Sequence, residues 1–112
     1  MLRGELYRVQ RPPNDPREHR TFVILSRQWV IDTRFSTLIC APIFSKGQGL
    51  ATQVGVGIDE GMKHESWILC DGLTSVRRAE LTQYVGSLSP SKLSEVDHAL
   101  AIALDLRLSG AQ

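Results

Sequence analysis

Between residues 15 and 20 the chain reads DPREHR, which sets a carboxylate, an imidazole and a guanidinium side by side at Glu18, His19 and Arg20. Such groups can move protons and grip a phosphate. Other polar groups fall at the ends of apolar runs: Ser45 and Lys46 after one, Asp71 after another. Metal-free RNA cleavage needs little more. A base takes the proton from a ribose 2′-OH, a cation stabilises charge on the phosphorus, and an acid protonates the leaving 5′-oxygen. The same residue types also make up ordinary solvated loops, and composition alone favours that plainer account.

Other chemistries find less support. His19, His64 and His98 are far apart, and no Cys-x-x-Cys or His-x-x-x-His spacing occurs, so neither a metal site nor a cofactor is expected. The stretch SKGQGL has glycines and a lysine without the spacing of a P-loop, and no Gly-x-Ser-x-Gly elbow is present. Cys40 and Cys70 lie inside apolar runs and are expected as buried free thiols. The net charge of +1 conceals an asymmetry. Residues 1–46 hold eight Lys/Arg against four Asp/Glu, and residues 47–112 hold five against eight. The first part could therefore meet a polyanion. At 112 residues the chain is expected to be a single domain, 1–112. No apolar run approaches a membrane span and the N-terminus lacks a signal-peptide core, so a cytoplasmic, membrane-free protein is expected.

The elements that must position these groups are mostly strands. Gly4–Val9, Thr21–Leu25, Ser36–Phe44, Ala51–Ile58, Ser66–Asp71 and Tyr84–Leu88 are short and rich in strand formers, and the proline-rich QRPPNDPREHR between the first two can only be a loop. Pro42 marks a bend or an edge position in the third run, and VRRAELTQ has room for one helical turn. Ser89 and Pro90 start a helix, Leu93, Val96, Leu100, Ala103 and Leu104 give it one apolar face, and Gly110 ends it. Six short strands closed by one helix predict a mainly β protein, a small, strongly bent barrel.

The order of motifs then carries a resemblance. RGELYRV, a proline-rich loop closed by an arginine, FVILS, ICAPIFS, ESWILCDGLTSV, VGSLS and the helix SEVDHALAIAL together resemble the MazF/PemK family of toxins, over Arg3 to Leu106. The resemblance implies an SH3-like barrel (CcdB/PemK-like) with a C-terminal helix, a homodimer, and a toxin of a type II toxin–antitoxin pair. It implies an endoribonuclease, an mRNA interferase that cuts single-stranded RNA without metal. The expected partner is an antitoxin whose flexible tail lies across the RNA groove.

Carried over residue by residue, the resemblance places Arg20 on the family's phosphate-binding, catalytic arginine, although Thr21 stands where a proline usually follows. Asp71 falls on the carboxylate that PemK-like members use in proton transfer, with Leu69 in place of the arginine two residues earlier. Of the two hydroxyls after the proline–hydrophobic pair, only Ser45 remains, because Phe44 occupies the first position. His19 and Glu18 are candidates for the loop's usual acidic or imidazole group. Arg17 and Lys46 are candidate RNA-binding cations. Phe44 is either a base-stacking ring at the groove edge or a core residue at a strand end. The rival to the nuclease is a binding toxin resembling the gyrase poison CcdB. That group acts through an aromatic-Gly-Ile ending, whereas this chain ends LRLSGAQ. The RNA sequence that is cut is not legible, since it depends on the shapes of loops at residues 12–17 and 46–53.

Overall fold

Two apolar runs become the centre of the sheet. In the computed structural model, which describes residues 1–10, 13–15 and 20–107, β2 (Thr21–Ile24) pairs antiparallel with β1 (Glu5–Val9) on one side and β3 (Thr37–Phe44) on the other. Both faces of β2 are buried, and both faces of β3 apart from exposed Ile39. Val23, Ala41 and Ile43 look into one cluster with Val96 and Ala99, while Phe22, Ile24, Leu38 and Cys40 look into a second with Ile31, Val76 and Leu81. That is why TFVIL and LICAPI run continuously apolar instead of alternating.

Four further strands complete the antiparallel sheet: β4 (Gln53–Val56), β5 (Ser66–Leu69), β6 (Thr74–Arg77) and β7 (Leu81–Ser87), in the order β4-β5-β3-β2-β1-β7 with β6 beside β3. The seventh strand, β6, was not anticipated; it precedes the expected turn of helix, a 3-10 turn at Arg78–Glu80. The short helix α1 (Gln28–Ile31) also lies in a stretch with no sequence assignment.

Pro42 is not at an edge. It faces Phe22 across β2, and on its other flank β3 changes partner. Thr37–Cys40 pair with β6, whereas Ile43 and Phe44 pair with β5. A residue without an N–H fits the place where one ladder stops and the next begins.

Helix α2 (Pro90–Ala103) begins as its sequence dictates: the Ser89 hydroxyl accepts the Lys92 N–H at 3.1 Å, and Pro90 takes the first position. Leu93, Val96, Leu100 and Ala103 cover the first cluster, but Leu104 is exposed. The helix ends at Ala103, before the expected Gly110, because Leu104 caps it and Asp105 turns to φ 53°. Gly110 lies outside the described residues.

β4 and β7 are not hydrogen-bonded to each other. The barrel-like seam closes by backbone contact instead. The 3-10 turn Ile58–Glu60 ends on Gly61, φ 97°, where a side chain would run into the Val85 carbonyl; a side chain on Gly86 would run into that of Glu60. Two glycines let a turn and a strand touch where no ladder joins them. No helix among the described residues is long and apolar enough to cross a membrane.

Candidate functional site

Arg20 stands immediately before β2. Thr21 pairs with Ile43, so the antiparallel register carries Arg20 to the level of Phe44. Its guanidinium carbon lies 4.7 Å from the Phe44 ring centroid, within cation–π range. Phe44 is half-buried and faces Trp67 across β5. Gly47 in the next loop packs on the Trp67 ring so closely that no β-carbon would fit there. Phe44 is thus the seat on which the arginine rests, with Trp67 its cross-strand partner. A ring face consumes no N–H, and Arg20 makes no ion pair among the described residues. Among the described residues no carboxylate competes with phosphate oxygens for its fork of donors.

Ser45 and Lys46 follow Phe44 at the exposed end of β3. Ser45 opens on a groove of about 490 Å³ at the mouth of the barrel, which Phe44 and Thr21 also line. Asp71 sits in the 3-10 turn Cys70–Gly72 that follows β5, exposed, and its Oδ2 accepts a hydrogen bond from the Thr52 hydroxyl. The turn packs against β3, with Gly72 against the Pro42 ring. Arg20, Phe44 and Ser45 are brought together at one end of β2 and β3. Asp71 lies apart from them, in the turn after β5, whose Gly72 meets the Pro42 ring two residues back along β3 from Phe44, and it makes no ion pair to Arg20 among the described residues. Arg17, Glu18 and His19 lie outside the described residues.

Cys40 and Cys70 are buried free thiols. Burial pushes Cys40 up to about 12. Burial, helped by the charge of neighbouring Asp71, pushes Cys70 up to about 11. A thiol kept protonated is no nucleophile, so Cys70 is a core residue despite its place beside Asp71.

Several groups at the barrel mouth were not singled out in the sequence: Arg8, Lys63, His64, Gln83 and Tyr84. One signal was available for the first of them. In ELYRV, Arg8 shares the parity, and hence the face, of fully buried Leu6. The others converge only through the β7 seam, which leaves no local mark.

A family model described as "PemK-like, MazF-like toxin of type II toxin-antitoxin system" matches residues 2–104. The chain is 30% identical over 87 residues to "Endoribonuclease MazF3" of Mycobacterium tuberculosis, covering 78% of this chain and 84% of the relative. Among solved structures it is similar to "Mycobacterium tuberculosis toxin MazF-mt6", at a TM-score of 0.81 and 26% identity over 93% of this chain and 99% of that one. It shares the fold of "Endoribonuclease in complex with its cognate antitoxin from Mycobacterial species" at a TM-score of 0.81 and 21% identity, covering 96% and 98% of the two chains.

Proposed function

The chain belongs to the PemK-like, MazF-like toxins of type II toxin–antitoxin systems, and from that premise we propose that it is an endoribonuclease that cuts single-stranded mRNA with its own side chains and no metal. The observation that carries this reading is Arg20, seated on the Phe44 ring at the strand end that also carries Ser45, with no ion pair among the described residues. In the proposed reaction a general base removes the proton of the ribose 2′-OH and the 2′-oxygen attacks phosphorus. The P–O5′ bond breaks, a general acid protonates the 5′-oxygen, and a 2′,3′-cyclic phosphate and a 5′-hydroxyl result. Arg20 grips the non-bridging oxygens and stabilises charge as it grows on phosphorus. Ser45 donates a hydrogen bond to the same phosphate. Asp71 is assigned to proton transfer, with Glu18 and His19 retained as further candidates for that role. Lys46 and Arg17 add counter-charge along the strand.

The cognate antitoxin is assigned to the same groove, its flexible tail excluding RNA. Support comes from the fold shared with an endoribonuclease solved in complex with its cognate antitoxin. The toxin acts as a homodimer. A gyrase poison that binds without cutting is not favoured, since the family match and the 30% identical relative both point to the MazF side. The test is long RNA incubated with the purified protein in EDTA, followed by mapping of ends and of their end groups. Cyclic phosphate and 5′-hydroxyl ends at a short recurring sequence are expected. Cleavage that vanishes in chelator and returns with Mg²⁺ overturns the metal-free mechanism, and intact RNA overturns the nuclease.

A further inference from the structure

Residues 45–52 join β3 to β4. By composition this loop should be loose, since it holds Gly47 and Gly49 and most of it faces water. It is pinned along its length instead. Gly47 lies so close on the Trp67 indole that a side chain there would overlap the ring, and Gly55 flanks the ring's far edge. The Gln48 N–H donates to the Gln53 side-chain Oε1 at 2.7 Å, and the Gln53 N–H donates to the Leu50 carbonyl at 3.0 Å. At the loop's end the Thr52 carbonyl accepts the Cys70 N–H at 3.0 Å, and the Thr52 hydroxyl donates to Asp71.

The two side chains that do the pinning contribute little to the cores. Gly55 pairs with Trp67 and Gln53 with Leu69 across β4 and β5. By strand alternation these positions turn away from Val54, Ile68 and the first apolar cluster. Among the described residues Trp67 joins neither cluster and stays only half-buried. An indole and a carboxamide thus serve the loop more than the interior.

What the loop connects gives the arrangement its use. Its first residue, Ser45, follows the Phe44 that seats Arg20, and its last, Thr52, holds the turn of Asp71. The phosphate-gripping strand end and the carboxylate lie apart, and the loop spans the gap between them. Groups that must act on one phosphodiester need a fixed relative placement, because an error of about 1 Å can cost roughly a hundredfold in rate. We infer that Trp67 and Gln53 are positioning residues for RNA cleavage, which hold this span rigid and through it set Ser45 and Asp71. The inference rests on the ribonuclease reading above. Trp67 acts through Gly47 and Gln53 through the Gln48 backbone; neither is assigned a contact with RNA.

The test compares wild type with Gln53→Ala, Gln53→Glu, Gly47→Ala and Trp67→Leu. Single-turnover RNA cleavage is followed across protein concentrations, which separates the maximal rate from half-saturation. A thermal melt and limited trypsin digestion, read by mass at the Lys46–Gly47 bond, accompany it. Gln53→Ala is expected to melt with the wild type, to be nicked faster after Lys46, and to lose roughly ten- to hundredfold in maximal rate. Its half-saturation stays close to that of the wild type, since binding groups are untouched. Gln53→Glu, whose carboxylate still accepts the Gln48 N–H, keeps its rate within about threefold of wild type. Gly47→Ala and Trp67→Leu repeat the loss of rate, and if either fails to fold the Gln53 pair decides. Wild-type rates in Gln53→Ala, in a protein that cuts RNA, overturn the positioning role and leave the ribonuclease standing. A rate that falls only in step with the melting temperature, with no recovery in Gln53→Glu, makes both residues merely structural and overturns it too. Wild-type protein that leaves RNA intact overturns the ribonuclease, and the positioning role falls with it even where trypsin finds the loop pinned.

Discussion

Arg20 shows how much one side chain's surroundings decide. A surface arginine in water is a mobile, solvated charge, whereas this one begins a buried strand and lies on the ring of Phe44. Such preorganisation is what lets a cation stabilise a transition state without first reorganising. Arg20→Ala is expected to keep the fold and to slow RNA cleavage by roughly a hundredfold or more, the scale for loss of one aimed charge stabiliser. Arg20→Lys recovers only part of that, since a point charge cannot reproduce a two-pronged grip. Single-turnover rates beside a thermal melt check both. Phe44→Leu separates the ring's two roles. It removes the cation–π seat and any base stacking, so cleavage slows while a half-buried apolar side chain is kept. A Phe44→Leu protein that is folded and as fast as wild type would show that the ring does neither job.

At the level of elements, legibility in the sequence follows how local the signal is. The α2 start was legible because Ser89 and Pro90 act within one turn, and the strands at 21–24 and 37–44 because burial on both faces demands continuous apolar residues. β6 was not, because TSVR buries only Val76 and owes its strand form to pairing with β3. The candidate site divides the same way. Arg20 and Ser45 sit where strand ends place them, but the Phe44–Trp67 pairing and the barrel mouth arise from partners distant in the chain. Arg78 is the clearest residue of this second kind. Its guanidinium donates to the carbonyls of Phe35, Ile31 and Thr33 at 3.0 Å and of Val30 at 3.3 Å, tying the segment after α1 to the turn after β6. Nothing in VRRAEL distinguishes it from Arg77. Arg78→Ala is expected to cost about 2–3 kcal/mol in urea unfolding, since several carbonyls lose a charged donor at once. Arg78→Lys recovers less than half, because one ammonium cannot span four acceptors; Arg77→Ala is close to neutral.

The whole molecule carries two apolar cores and an uncovered apolar corner, and each makes a measurable demand. Cys40 belongs to one core and Cys70 to the other, and burial raises both thiols above their ordinary 9.0, to about 12 and about 11. Below pH 9 the thiols are protonated folded or unfolded. Above it the unfolded chain ionises first, so this part of the stability is lost as pH rises from about 9 towards 11–12. Urea midpoints should fall over that window, and less steeply for Cys40→Ala measured against its own value at pH 8. The uncovered corner is the groove lined by Trp29, Phe35 and Ile39, which are 70%, 61% and 49% exposed, on the segment that Arg78 anchors. Arg27 stacks over Trp29 at 5.8 Å and keeps the corner from being wholly apolar. A two-fold axis can set such a patch against its own copy and cover both at once, which suits a chain of 112 residues with limited core. Two surfaces therefore compete for the proposed homodimer, this corner and the exposed end of α2, where Ile102, Leu104 and Leu106 lie, the region that the family resemblance implies; the prediction is for the corner. Light scattering at micromolar concentration is expected to give twice the chain mass for wild type and for Leu104→Ser. The Trp29→Ala, Phe35→Ser double variant is expected to give a folded monomer. A wild-type monomer would remove the dimer altogether, and a double variant that stays dimeric would move its interface elsewhere on the molecule.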